Sequence, residues 1–342
     1  MQSAVELKQW PISGRRLGVA NAKVFVTTLV LCTLVAAAFA SWLPLQVSIV
    51  TLFLFAGPHN WFELRYFLMR LPVRFGRSRN FFLTAFVGLG VLTVAYVSLP
   101  FVYNASLWTD ESWSIVIASW NTLLLFWLGL LVWLRSKQKA RANWRWTVPV
   151  GLALCSLNWL GPDFFSLAIV YVHPLVALWF LDRHLARTRA SWLRAYRRCL
   201  CLLPLVLAGL VWQLSQTLPL VDDNGLFWRI TQHSGAEVLP QISSHLLVSV
   251  HLFLEILHYG VWIIALPLIA PSARFWDPKT VPVARHPKGF PKLIAGVLVV
   301  ALLLVVVLWL GFARDYATTR DIYFTVAIAH VLAEAPFLLR ML

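Results

Sequence analysis

Apolar residues in this chain gather into ten long runs separated by short polar breaks. The runs cover about residues 24–43, 46–70, 81–103, 113–134, 147–160, 162–182, 198–217, 240–270, 292–313 and 320–340. Most reach the roughly 20 residues that an α-helix needs to cross the apolar part of a bilayer. The fifth run is short and meets the sixth at Gly161-Pro162-Asp163, which predicts a tight hairpin near one surface. The eighth is long enough to tilt or protrude. The expected fold is all-α: a polytopic membrane helix bundle of about ten transmembrane helices. Residues 24–342 would form one transmembrane domain behind an N-terminal segment, 1–23.

Composition agrees with this pattern. Of the 342 residues, 60% are hydrophobic and 13% are charged, with 18 Trp and 22 Phe. Soluble domains carry about 25% charge. The net charge of +15 does not point to nucleic acid, because the basic residues sit in short loops between apolar runs. They fall in alternate breaks: Lys8, Arg15, Arg16 and Lys23; Arg74, Arg77 and Arg79; Arg135, Lys137, Lys139, Arg141 and Arg145; Arg183 through Arg198; and Arg274, Lys279, Arg285, Lys288 and Lys292. The intervening breaks are short or acidic, as at Asp110, Glu111, Asp222 and Asp223. The positive-inside rule then predicts both termini in the cytoplasm of a multi-pass cell-membrane protein of the bacterial inner-membrane kind. Ala38-Phe39-Ala40-Ser41 resembles a signal-peptidase site, but another span follows at once, so the first run is expected to remain an anchor. Cys32, Cys155, Cys199 and Cys201 lie in or beside apolar runs without metal-ligand spacing and read as small packing residues.

Three apolar runs carry a histidine followed four residues later by a glutamate: His59/Glu63, His251/Glu255 and His330/Glu334. That spacing puts both side chains on one face of a helix. With 14 acids in 342 residues, nine histidines should yield well under one such pair by chance. Ionisable groups inside an apolar helix are costly and usually functional. The predicted topology makes spans two, six, eight and ten parallel. His59 lies about thirteen residues into its span, His173 and His251 about eleven and His330 about ten, so all four sit at one depth, with His258 one step deeper. Histidine and carboxylate on facing helices is how bundles build metal sites. The candidate metal ligands are therefore His59, His173, His251, His258 and His330. Glu63, Glu255 and Glu334 would orient the imidazoles or bind metal directly. Imidazole suits Fe, Zn or Cu, and carboxylates shift the preference toward Fe or Mn. Proton relays and metal-ion pathways use the same residue types, as does haem bound by paired histidines, so a coupled transporter and a haem protein stand as alternatives. A lone histidine can also serve only as an interhelical hydrogen-bond partner.

Other polar residues carry less. His245 lies about 120° around its helix from His251 and is expected to be structural. His184, His233 and His286 are expected in solvated loops. Arg65 and Arg70 should snorkel at the inner end of the second span or contact lipid phosphate. Asn121 and Asn158 should bond between helices. Pro58, Pro174 and Pro336 neighbour candidate site residues and could kink their helices. No phosphate-binding loop, dinucleotide fingerprint, nucleophile elbow, desaturase histidine box or haem-attachment motif occurs.

Three short segments, four if His173 is counted, resemble the Brp/Blh-type β-carotene 15,15′-dioxygenases, polytopic membrane enzymes that cleave carotene at a non-haem iron held by histidines. Ala56-Gly57-Pro58-His59-Asn60-Trp61-Phe62-Glu63 is similar to the family's Gly-x-Pro-His-Gly-x-x-Asp, with Asn60 for glycine and Glu63 for aspartate. Ala327-Ile328-Ala329-His330-Val331-Leu332-Ala333-Glu334 and the later Arg340 are similar to its last span. His258-Tyr259-Gly260-Val261-Trp262 echoes a middle signature. The chain departs from the family at Leu254, where a histidine would stand, and around His173, where a histidine-Phe-Gly signature is missing. The resemblance implies iron ligation by His59, His258 and His173. The expected function is a membrane-embedded metal-dependent oxidoreductase. It would be a non-haem Fe(II) oxygenase using O2 on a carotenoid or other isoprenoid lipid, with membrane lipids as its other partners.

Overall fold

The computed structural model describes residues 22–105, 108–139, 143–220, 225–269, 281–286 and 289–342. The basic residues Lys8, Arg15, Arg16, Arg141, Arg274, Lys279 and Lys288 and the acidic pair Asp222 and Asp223 lie outside them. Helices α1 (Ala22–Trp42), α2 (Pro44–Arg70), α3 (Arg79–Ala105), α4 (Asp110–Gln138), α5 (Thr147–Leu160) and α6 (Pro162–Thr188) form the first half of the chain. Helices α7 (Ala190–Leu200), α8 (Leu202–Leu214), α9 (Leu226–His233), α10 (Ser244–Gly260), α11 (Pro291–Arg314) and α12 (Tyr316–Met341) form the second. A π-helical turn, Val261–Ala265, and a short helix, Leu266–Ile269, prolong α10. The described residues contain no strand, so the fold is an all-α polytopic bundle.

Eight stretches are long and apolar enough to cross a membrane, counting α7–α8 and α10 with its extension as one each. The other two predicted spans are also helical. Helix α2 runs for 27 residues but carries His59, Asn60, Glu63, Arg65 and Arg70. Helix α5 has 14 residues, about 21 Å of helix against a ~30 Å apolar layer. Gly161 and Pro162 separate it from α6 in the expected tight hairpin. The seventh run is broken at Cys201, between an arginine-rich amphipathic α7 and an apolar α8. Arg194, Arg197 and Arg198 therefore lie on a helix, not in a loop.

Burial separates the helices by role. Two-thirds (67%) of the most apolar stretch of α10 is buried, against 17% for α11. Helix α10 is thus the axis of the bundle, and α11 turns Leu293, Val300, Leu303, Leu304 and Leu310 outward. Within lipid the hydrophobic effect gives little drive between helices, so packing and interhelical hydrogen bonds hold them. Tryptophan indoles provide several: Trp61 Nε1 donates to Leu298 O at 3.1 Å, Trp120 Nε1 to Leu92 O at 3.1 Å and Trp127 Nε1 to Thr84 O at 3.0 Å. Asn158 bonds Ala118 O at 2.9 Å and Asn121 bonds Ser166 Oγ at 3.2 Å, as expected of interhelical amides. His245 Nε2 meets Ser41 O at 3.0 Å, the structural role expected of it. Arg135 closes the C-terminal turn of α12 by donating to Leu339 O and Arg340 O, both at 3.1 Å. Orphan carbonyls and a cation satisfy each other at a helix end. The four cysteines are free thiols at half-buried or exposed positions.

Several expectations are corrected. His184 is buried on α6, where its Nδ1 lies 3.0 Å from Arg70 Nη2 and 3.5 Å from the Tyr66 hydroxyl. Helix α6 continues past its apolar run and carries His184 into the core. Arg65 is 1% exposed and faces the bundle interior instead of snorkelling. His233 ends α9 and stacks on Phe324 with ring centres 3.9 Å apart, so it belongs to the interior wall. His286, half-buried beyond the short helix Pro282–Arg285, does lie in a connecting segment.

Gly57 sits where α2 crosses α11, and a Cβ there would lie 2.9 Å from Val305 Cγ1 and 3.3 Å from Val305 Cα. Part of that obstruction is backbone, so the helices must separate to admit a side chain. Gly57→Val should destabilise the protein by about 1–3 kcal/mol, as overpacking does. Thermal unfolding in detergent measures this, and Val305→Ala in the same background should recover part of the loss.

Candidate metal centre

Four helices bring one histidine each to a common point. His59 comes from α2, His173 from α6, His258 from α10 and His330 from α12. Neighbouring ring centres are 5.2 Å apart for His59–His258, 4.7 Å for His258–His173, 4.9 Å for His173–His330 and 5.3 Å for His330–His59. His258 and His330 face each other across the group at 6.2 Å. Imidazoles bound to one ion at ~2.1 Å would have neighbouring ring centres about 4.5–5.3 Å apart. The observed group has those dimensions.

Helix register explains the meeting. His59, His258 and His330 lie fifteen, fourteen and fourteen residues from the starts of α2, α10 and α12, and His173 eleven from that of α6. His251 lies only seven residues into α10. The eighth run had been expected to begin at 240, but residues 238–243 form turns and the helix starts at Ser244. Val238-Leu239-Pro240 is apolar yet not helical, which moved the expected depth of His251 by about one turn. His258, not His251, is the residue of α10 that reaches the common level. The π turn starts three residues later, and such turns often occur at functional sites. Pro58, Pro174 and Pro336 all lie inside their helices, beside the site residues.

Hydrogen bonds on the outer nitrogens fix two of the rings. His59 Nδ1 is 2.9 Å from Phe55 O, and His173 Nδ1 is 3.0 Å from Glu334 Oε2. A proton on each Nδ1 leaves the Nε2 lone pair facing the group, as in carboxylate–histidine–metal arrangements. His173 Nε2 and His330 Nε2 are 3.1 Å apart. Two nitrogens at that separation, each ~2.1 Å from one ion, would subtend about 95°. His59, Glu63, His258 and His330 each offer a ligand atom within 4.8 Å of the others.

The residues fit a cation on a second ground. Both oxygens of Glu63 and Glu334 Oε1 are buried with no hydrogen-bond partner among the described residues, while His258 and His330 each turn one ring nitrogen to a backbone carbonyl, Pro174 O and Ala327 O. Each such atom costs about 1–3 kcal/mol if nothing satisfies it. A divalent metal held by His59, His258, His330 and Glu63, with His173 as a further ligand, would satisfy the Glu63 carboxylate and the inward nitrogen of each imidazole. A nitrogen-rich set with one carboxylate is the chemistry of Fe, Mn or Zn.

The chain matches no family model, no curated protein and no solved structure. The site therefore stands on its own geometry.

That geometry divides the expected residues into two groups. His59, His173, His258, His330, Glu63 and Glu334 come together. His251 lies apart, with His233 at 5.2 Å and Tyr171 at 5.7 Å as its ring neighbours, and its Nδ1 is 3.9 Å from Glu255 Oε2. Glu255 is joined to the Tyr259 hydroxyl, and Tyr259 in turn packs against the His59 ring at 4.5 Å. Tyr259 and Tyr323, whose hydroxyl accepts from Asn60 at 3.4 Å, were given no site role in the sequence, and His233 was expected in a solvated loop. His233 had a usable signal: it closes a short amphipathic segment, Leu226–His233.

A cavity of about 380 Å3 runs from the four histidines toward the end of the bundle where α4, α6 and α10 begin. On the opposite side Phe67, Phe180, Trp262 and Phe337 form a plug, with Phe67 stacked on Phe337 at 4.4 Å and Phe180 5.4 Å from Trp262.

Glu334→Gln should lower metal affinity by about 10–100-fold, the usual effect of removing a carboxylate that orients a ligand. His251→Ala should leave metal content unchanged. Metal titration of the purified variants, alongside wild type of equal thermal stability, checks both.

Proposed function

We propose that this chain is a membrane-embedded, metal-dependent oxidoreductase, a non-haem iron oxygenase acting on a carotenoid or other isoprenoid lipid. One observation carries the reading: four imidazoles line one cavity that also has aromatic walls, and three of them share a common point with Glu63. His59, His258, His330 and Glu63 would hold the metal, with His173 completing the set. Bound there, iron would supply the redox chemistry that couples O2 to oxidation of an apolar substrate. Glu334 keeps the His173 proton on Nδ1, and Phe55 O does the same for His59. The plug of Phe67, Phe180, Trp262 and Phe337 keeps water from entering from the arginine-rich side. The fragments similar to Brp/Blh-type enzymes support the same reading, since they contain His59, His258 and His330. The basic loops support a cytoplasmic position for both termini and ten crossings in all.

The geometry weighs against haem. His258 and His330 have the spacing of an axial pair, but His59 and His173 occupy the plane that a porphyrin would need. Transport is a weaker reading because the plug closes the path beyond the histidines.

Purified wild type should contain near-stoichiometric iron, and His59→Ala should lose most of it. Expression in a bacterial host that makes carotene together with its hydroxylated and keto derivatives should consume carotenoid and yield shorter apocarotenoids. Active wild-type protein without stoichiometric iron, manganese, zinc or copper would sink the metal reading. Unchanged carotene despite verified expression and iron loading would remove carotene as substrate. A Soret band would favour haem, and proteoliposome uptake that depends on His251 and Glu255 would favour a transporter.

A further inference from the structure

The cavity has two unlike walls. Tyr96 and Leu99 of α3 and Trp113, Ile117 and Trp120 of α4 form a mainly aromatic side, whose polar members are Asn121, bonded to Ser166 Oγ at 3.2 Å, and Asp163 at the start of α6. Gln232 and His233 at the end of α9, with His251 and Glu255 of α10, form the other. The polar wall is not part of the metal cluster. His251 and Glu255 are 6% and 9% exposed, and their 3.9 Å separation is too long for a hydrogen bond between them. Gln232 Oε1 is buried without a partner among the described residues. His233 is held in place by stacking on Phe324. These groups begin one helical turn outward from His258 and reach two turns, so His251 lies about 10.5 Å from His258 along the axis.

A pure hydrocarbon in this cavity would cover the polar wall and leave Gln232 Oε1 without water or partner among the described residues, a cost that discriminates against it. A ligand with an oxygen at one end would bond to that wall while its apolar body lay along Trp113 and Trp120. We infer that this pocket selects an isoprenoid lipid bearing a terminal hydroxyl or carbonyl, bound by His251, Gln232 and Glu255. The proposed oxygenase reading is needed only for the further step, in which the bond two helical turns from that end group lies at the metal centre. The chemistry favoured is thus an oxygenated isoprenoid over a symmetric hydrocarbon carotene.

The test uses the full-length protein in nanodiscs, with all-trans-retinol as reporter through energy transfer from the cavity tryptophans. Farnesol and farnesene, which differ by a terminal hydroxyl, compete for the site, with empty nanodiscs as the partition control. Farnesol should displace retinol at a concentration at least about ten-fold lower than farnesene, the size of effect expected when a buried site loses its bonding partner. His251→Ala and Glu255→Gln should bring the two competitors within about three-fold by weakening farnesol alone. Gln232→Leu, at a half-buried position, gives a third variant should either of these fail to fold. Equal displacement in wild type, a preference that survives in all folded variants, or no saturable retinol signal would each overturn the inference. Metal content is measured in parallel. A metal-free protein that keeps the preference would sink the oxygenase reading and leave the end-group pocket standing. A metal-loaded protein without the preference would do the reverse.

Discussion

Six ionisable side chains, four imidazoles and two carboxylates, meet in the interior of an otherwise apolar bundle, and the arrangement of the helices follows from how they are satisfied. A charge at the centre of a bilayer costs about 2.5–3.5 kcal/mol on insertion scales, and a neutral polar group without a partner is also costly. No water-facing solution is open to His59 or Glu63, each 1% exposed. They must find partners inside the bundle. Glu334 finds His173 on α6, His173 meets His330 on α12, and His59 uses the carbonyl of Phe55 on its own helix. The first two contacts tie α6 to α12, beside the rings that α2 and α10 bring to the same point. The group left over, Glu63, faces the same point as the ring nitrogens of His59, His258 and His330, which is why a shared cation accounts for it better than a separate hydrogen bond.

The rest of the packing protects that point. Helix α10 is buried because it supplies His258 to the cluster and His251 and Glu255 to the cavity wall. Beneath the cluster, Tyr66, Phe67, Phe180 and Trp262 pack edge to face, with ring centres 5.4–6.3 Å apart. Aromatic pairs of this kind give both area and orientation. Gly57 lets α11 approach α2 closely enough for Trp61 to reach the carbonyl of Leu298. The stretch around His59 is therefore held from both sides. In exchange α11 contributes no polar group to the site and spends most of its surface on the outside of the bundle.

Much of this was legible in the sequence, for identifiable reasons. All ten apolar runs are helical, since runs of such length leave the backbone little choice inside a membrane. The shared depth of His59, His173 and His330 followed from counting residues along parallel helices. The same count failed for His251 because apolarity does not distinguish a helix from the turns at 238–243 that precede it. Starting α10 at Ser244 promotes His258 and moves His251 outward. His184 and Arg65 were misplaced for a related reason: helices run past their apolar stretches, so a polar residue at the edge of a run can still point inward. Tyr259 and Tyr323 gave no signal, because nothing in the sequence distinguishes a tyrosine beside a metal site from one in the core.

The three histidine–glutamate pairs show how far a local spacing can be trusted. An interval of four puts two side chains on one helix face, but it does not make them partners. Glu334 bonds to His173 on another helix, not to His330 on its own. Glu63 and His59 are ligand candidates for the same point, each offering an atom to it independently. His251 and Glu255 stay 3.9 Å apart and line the cavity instead. The spacing is shared because each helix shows a single face to the interior, and any two polar residues on that face must be about one turn apart. What the residues then do depends on depth. At fourteen or fifteen residues from the helix start His59, His258 and His330 meet other histidines, while at seven His251 meets the cavity. The repeated pattern reports which faces are inside, and the register of each helix decides which members reach the centre.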